Sequence, residues 1–176
     1  MLIENRGKKP IVSETAFVDE EAKVIGNVII GDHSYIASGV VIRGDLARVV
    51  LESYAAVQDG TLLYPAEHFM DGLMEHKEIL IGSHVIIGKY CIIQATYVGD
   101  AVFIGSSSVL DRECQISDGT VVAAGTVVPP WMIVPPRVVV GGQPAREYRR
   151  LSPGDVEKQR ENAETYSKFV EKVLKR

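Results

Sequence analysis

At 176 residues, 46% of them hydrophobic and 24% charged, the chain carries enough apolar material for one continuous core and does not have the composition of a disordered segment. A formal net charge of −4 with no basic block argues against nucleic acid as a partner. No apolar run is long enough to span a bilayer, and the opening MLIENRGKKP lacks the apolar core of a secretion signal, so no membrane span is expected and a cytoplasmic address is the default.

Residues 1–16 read as a lead-in, with Pro10, Ile11 and Val12 suggesting an edge strand. From there an aliphatic residue opens each block of six: Val18, Val24, Ile30, Ile36 and Ile42, with Gly26, Gly31 and Gly39 between them where the turns are tight. The register then jumps by nine to Leu51, so about three extra residues near 47–49 must be absorbed by a corner bulge. Val57 and Leu63 continue it. Residues 65–78, PAEHFMDGLMEHKE, break the pattern and read as a projecting loop, after which Ile81, Ile87 and Ile93 resume it.

From Val98 the repeat is unbroken, through Ile104, Leu110, Ile116, Val122, Val128 and Val134 to Val140, with mostly compact residues in the fifth slot. Such hexads build a parallel β-helix, each giving a short strand and a turn, three to a triangular coil, with coils stacked ~4.8 Å apart. Cys91 and Cys114 fall in fifth slots and should be buried, reduced thiols. Pro129, Pro130, Pro135 and Pro136 sit in turns of the last coils. GGQPAREYRRL then leaves the prism, and Ser152, Pro153 and Asp155 signal a helix start. Val156, Ala163, Tyr166, Val170 and Val173 share one face of that helix, which should pack along the prism. The chain therefore divides into a β-helix over 1–150 and a C-terminal helix over 151–176.

Two tripeptides stand out of the hexads, Arg43-Gly44-Asp45 and Gln58-Asp59-Gly60. Arg43 and Gln58 follow inward aliphatics and so point outward. Asp45 and Asp59 lie near turns, where aspartate serves the backbone; with Arg43 they can instead form a charged cluster. His33 and His84 occupy fourth positions and read as solvated corners. His68 and His76 share the projecting loop with Glu67, Asp71 and Glu75, in no standard ligand spacing.

The blocks VVIRGDLARVVL, AAVQDGTLLY, IGSHVIIGKYCIIQATYVGDAVFIG, DGTVVAAGTVVPP and GGQPARE match, in order and over nearly the whole chain, those of the γ-class carbonic anhydrases. The chain resembles that family of left-handed parallel β-helix trimers. The resemblance implies a mainly β fold with a C-terminal helix and a homotrimer. It also implies interface ion pairs for Arg43, Asp45 and Asp59, a place for Gln58 beside the reacting water, and one for Tyr166 in the helix near the site. Family enzymes bind zinc or iron through three histidines, whose positions here are Tyr64, Lys89 and Gln94. An amide and a phenol are poor ligands and an ammonium repels a dication, so no metal is expected there and no means of activating water. Lys89 is instead expected to take the metal's place, with Gln58, Tyr64 or Gln94 as its partners.

The reading that follows is a carbonic-anhydrase-like protein with little or no CO2 hydration activity, acting as a binding or assembly subunit with a protein partner and without a cofactor. One alternative is an active anhydrase whose zinc or iron site has been rebuilt, with His68 or His76 as a ligand. The other is a coenzyme A-dependent acyltransferase, whose base would come from the same two histidines.

Overall fold

The computed structural model describes residues 1–70 and 73–174, with the side chains at 68–70, 73 and 174 outside it. Two-residue strands such as Ile92–Ile93 and Val121–Val122 alternate with turns and wind into a parallel β-solenoid of about seven turns. Its three faces are set by register. Face 1 stacks Val41, Leu62, Ile92, Val109 and Val127; face 2 stacks Ile29, Val50, Leu80, Tyr97, Gln115 and Ile133. Face 3 stacks Tyr35, Ala56, Ile86, Phe103, Val121 and Val139. These residues point outward, and each successor points in.

The inward columns are the core. Every predicted inward position from Val24 to Val140 is at most 1% exposed, whereas Val18, in the first coil with none beneath it, is only partly buried. Fifth-slot hydroxyls are equally buried because each finds a corner carbonyl: Thr61 donates to Gly88 O at 2.7 Å, Ser108 to Gly105 O at 2.7 Å and Thr120 to Pro135 O at 2.9 Å. Cys91 and Cys114 are free and buried; burial pushes both thiols up, Cys114 to about 12 with the charge of Asp111 adding to it.

The strands Lys23–Ile30 and Val41–Leu51 cross without a break from face 1 to face 2. Their pairing runs Gly26 with Gly44 and then Val28 with Val49, so residues 45–48 bulge opposite Asn27 alone. The three extra residues lie slightly earlier than the sequence suggested. At this corner the two backbones nearly touch: a Cβ on Gly44 would sit 2.4 Å from the Asn27 carbonyl oxygen.

At the corner between faces 2 and 3, His33, Tyr54 and His84 hold left-handed φ values of 56°, 60° and 59°. Their rings stack with centroids 4.9 Å apart at both steps, matching the rise of one coil. The two histidines are therefore not solvated corners. The C-terminal helix, Pro153–Leu174, reaches them: His33 Nδ1 lies 3.1 Å from Glu171 and His84 Nε2 3.4 Å from Glu164.

That helix is capped reciprocally. Ser152 Oγ accepts from the Asp155 N–H at 3.2 Å, and the Asp155 carboxylate accepts from the Ser152 N–H at 2.8 Å. It lies on face 3, with Gln159 donating to Gly119 O and Ser167 to His33 O, and Ala163, Ser167 and Val170 buried. Val173, expected on this face, is 44% exposed, because the buried column follows Ala163, Ser167 and Val170 around the helix and leaves Val173 to one side. Two further segments differ from expectation. Arg146–Arg150 does not leave the prism but folds back antiparallel on Val138–Gly141, and the loop at 65–78 carries a hairpin pairing His68–Met70 with Leu73–Glu75.

Tyr166 brings its ring 5.7 Å from that of Tyr35 on face 3. Burial, with the nearby Tyr166, Asp59 and Asp19, pushes the Tyr35 phenol up to about 12.

Two outcomes are expected. Gly44→Ala forces a Cβ into the Asn27 carbonyl and destabilises by about 1–3 kcal/mol, read as a lowered midpoint in denaturant. Because the folded Tyr35 pKa is raised above its unfolded value, its contribution to stability is complete below about pH 10 and lost as pH rises toward about 12. Tyr35→Phe should flatten that alkaline fall in melting temperature.

Candidate functional site

Face 1 carries the singled-out residues on its two edges. Leu63 pairs with Ile93, so Tyr64 and Gln94 follow on adjacent coils at the corner leading to face 2. Together with Ala66, Glu67, Asp111 and Arg112 they line an open pocket of about 380 Å³. Arg112 spreads over Trp131, 5.6 Å from the ring centroid.

Beside it, Val41, Arg43, Leu62 and Tyr64 line a second hollow of about 370 Å³. Arg43 Nη2 donates to Asp45 Oδ2 at 2.8 Å, and Nε lies 3.3 Å from both carboxylate oxygens. Burial pushes the Asp45 carboxyl up, but the hydrogen bonds and charge of Arg43 and the N–H groups of Asp45 and Leu46 outweigh it, holding the group below the usual carboxylate range. This pair lies within one chain.

The opposite edge, between faces 3 and 1, gathers Gln58, Asp59, Lys89 and Tyr166. Lys89 Nζ lies 3.4 Å from Asp59 Oδ2, both side chains about half exposed. The Gln58 side chain stands beside the Tyr166 hydroxyl. Burial pushes that phenol up; the Gln58 amide works against it, Asp59 adds to it and Lys89 opposes it.

Lys89 and Gln94 stand at opposite ends of the strand Ile92–Ile93, Lys89 at the corner before it and Gln94 at the corner after it. Within one chain, then, Lys89 bonds Asp59 rather than Tyr64 or Gln94, and no side chain at position 89 shares a ligand with positions 64 and 94. The residues present do not fit zinc or iron: they offer a phenol, an amide and an ammonium, with no imidazole or thiolate among them. Among the described residues no three His, Cys, Asp or Glu side chains gather closely enough to hold a metal ion. Of the loop residues, His76 Nδ1 faces the Ala66 carbonyl at 3.2 Å, while the side chain of His68 and all of Asp71 lie outside the described residues.

Sequence reasoning placed Gln58 and Tyr166 near one another but missed Tyr35, whose ring meets that of Tyr166 from the coil below. It also missed Asp111 and Arg112 as pocket walls. Nothing in the hexad pattern marks either residue, since both occupy ordinary turn positions.

Among the described residues no helix is long and apolar enough to cross a membrane. The carnitine operon protein CaiE of Escherichia coli is 40% identical over 58 residues, a stretch that is 33% of this chain and spans only 30% of CaiE. A hexapeptide transferase family protein from Anaplasma phagocytophilum has a similar solved structure, with a TM-score of 0.85 and 27% identity over 98% of both chains. A putative acetyltransferase from Bacillus cereus shares the fold, with a TM-score of 0.84 at 23% identity over 96% of this chain and 93% of its own. A sequence profile of the family described as dynactin subunit 5 matches residues 12–170. The chain belongs to that family, among the hexapeptide-repeat left-handed β-helix proteins.

Proposed function

We propose that this chain is a carbonic-anhydrase-like subunit that has exchanged its metal for hydrogen bonds and acts in binding or assembly as a homotrimer, with little or no CO2 hydration activity. The observation that carries the reading is the division of the three former ligand positions between the two edges of face 1. Tyr64 and Gln94 stand on one edge, Lys89 with Asp59 on the other. A threefold rotation that sets one edge against the other of the next copy assembles them three times over.

The same rotation turns face 1 of each copy toward the axis. Its outward column starts at Lys23 and is aliphatic at every rung above it, Val41, Leu62, Ile92, Val109 and Val127, as a surface meant for burial should be. At the junction the Lys89 ammonium supplies one positive charge and three donors where the γ-class carbonic anhydrases hold a dication, and Tyr64 and Gln94 can accept from it. The Arg43–Asp45 pair, beside Tyr64, borders the same junction. With no metal to lower the pKa of a water, Gln58 and Tyr166 stay side by side but have no nucleophile to orient.

Two findings favour assembly over catalysis. The family to which the chain belongs is named for a subunit of a larger complex. None of the described histidines lines the pockets beside face 1: His33 and His84 face the helix glutamates and His76 a backbone carbonyl.

Purified protein should carry far less than one zinc or iron per chain by elemental analysis; stoichiometric metal at Tyr64, Lys89 and Gln94 would overturn the reading. The triple variant Tyr64→His, Lys89→His, Gln94→His should gain bound zinc. Light scattering should give about three times the chain mass of 19.3 kDa. Ile92→Glu, which alters only an outward rung of face 1, should reduce that to a single chain while leaving the circular dichroism unchanged.

A further inference from the structure

The three faces of the prism differ in what covers them. Face 3 lies under the chain's own helix, and the proposed trimer closes face 1. Face 2 has neither, yet its outward column is apolar at every rung but one: Ile11, Ile29, Val50, Leu80, Tyr97 and Ile133, with Gln115 the exception. Ile11 is 65% exposed, Ile133 66%, and Leu80 and Tyr97 more than a third. A continuous exposed stripe of this kind marks an interaction surface.

Three features define what fits it. The first is length. Seven rungs at ~4.8 Å give a stripe of about 29 Å, the length of a helix of about 20 residues. The second is the chain's own solution to the same problem on face 3. There a 22-residue helix lies along the prism, sets small and apolar residues against the outward column, and bonds the corner carbonyls of Gly119 and His33. The third is charge. The corner between faces 2 and 3 carries Glu14, Asp32, Asp100 and Asp118 in one column, interrupted in the middle coils by Ser53 and Ser83, with Glu52 one position before Ser53, and Pro136 ends it. An acidic rail thus runs along one side of the stripe. The other side is mixed, with Arg48, Lys77, Glu78, Arg112 and Glu113.

We infer that face 2 is the docking surface for an amphipathic helix of a partner protein, apolar on one side and lined with Lys or Arg on the flank that meets the acidic rail. The helix lies parallel to the prism axis, as the C-terminal helix does on face 3. Its apolar residues fill the gaps between Leu80, Tyr97 and Ile133. Its cations meet Glu52 and the carboxylates above and below, which steers the helix to one orientation and makes binding dependent on salt. The inference rests on the assembly reading and supplies the chemistry of the partner.

The test uses the full chain and a fluorescein-labelled synthetic 20-residue helix with leucines on one face and lysines along one flank. A second peptide replaces each lysine with glutamate. In fluorescence anisotropy the lysine peptide should bind with a Kd below about 100 µM, and the glutamate peptide about tenfold or more weakly. Ile133→Glu and Leu80→Glu should each weaken the lysine peptide about tenfold, and Glu52→Lys should do so without touching the stripe. Added salt should weaken it further.

Equal binding of both peptides, no binding at all, or binding indifferent to Ile133→Glu and Glu52→Lys would overturn the inference. So would a wild-type particle larger than a trimer that Ile133→Glu reduces to a trimer, because face 2 would then be covered by another copy of this chain. Metal content and trimer mass, measured on the same preparation, report separately on the assembly reading. A metal-free trimer that ignores the peptide sinks only the docking surface.

Discussion

Everything in this molecule depends on the backbone hydrogen bonds that tie each coil to the next. Ile92 N–H donates to Ser108 O at 3.0 Å and Gln94 N–H to Leu110 O at 2.8 Å, and pairs like these recur along all three faces. They fix the rise of a coil, so side chains in equivalent positions stand in vertical register whatever their separation in sequence. One inward column per face then fills the prism with aliphatic residues, and one outward column per face gives that face its character. Core, corner stack and candidate site are all consequences of that register.

The outward columns therefore carry the functional difference between faces that share the same core. Face 3 meets its own helix through hydroxyl and amide bonds to corner carbonyls. Face 1 is aliphatic above Lys23, and its other polar chemistry stands at its edges, Tyr64 and Gln94 on one side and Asp59 and Lys89 on the other. An arrangement with complementary halves at opposite edges of a flat strip suits a closed ring of copies better than an isolated chain.

How much of this was legible in the sequence follows from the same register. The inward residues were readable because a hexad is a local pattern, and Val24 through Val140 are buried as the period requires. The ring stack of His33, Tyr54 and His84 was not, because its members stand 21 and 30 residues apart where a regular coil would give 18; the bulge at 45–48 and the hairpin lengthen those two coils. Histidines that look like isolated turn residues are vertical neighbours only once those insertions are taken out. Likewise Tyr64, Lys89 and Gln94 were found by resemblance, but the Lys89–Asp59 contact depends on side-chain reach across a corner. The fold-back of Arg146–Arg150 escaped notice because it follows no hexad and pairs antiparallel. The rotation of the C-terminal helix turned on Ser167, a small polar residue that bonds the His33 carbonyl where a purely apolar count would have chosen Val173.

The hairpin at 68–75 leaves at a corner, and the coils on either side of it stack as though it were absent, Leu51 against Ile81 and Leu63 against Ile93. A stack of this kind is indifferent to how much chain lies outside it. Lengthening such an excursion adds only loop-closure entropy, about 0.6 kcal/mol for each doubling. The corner between faces 1 and 2 is thus a port where new sequence can enter without renegotiating the core. It opens beside the pocket of Tyr64 and Gln94, so the walls of that pocket can be rewritten by grafting while the prism beneath stays as it is.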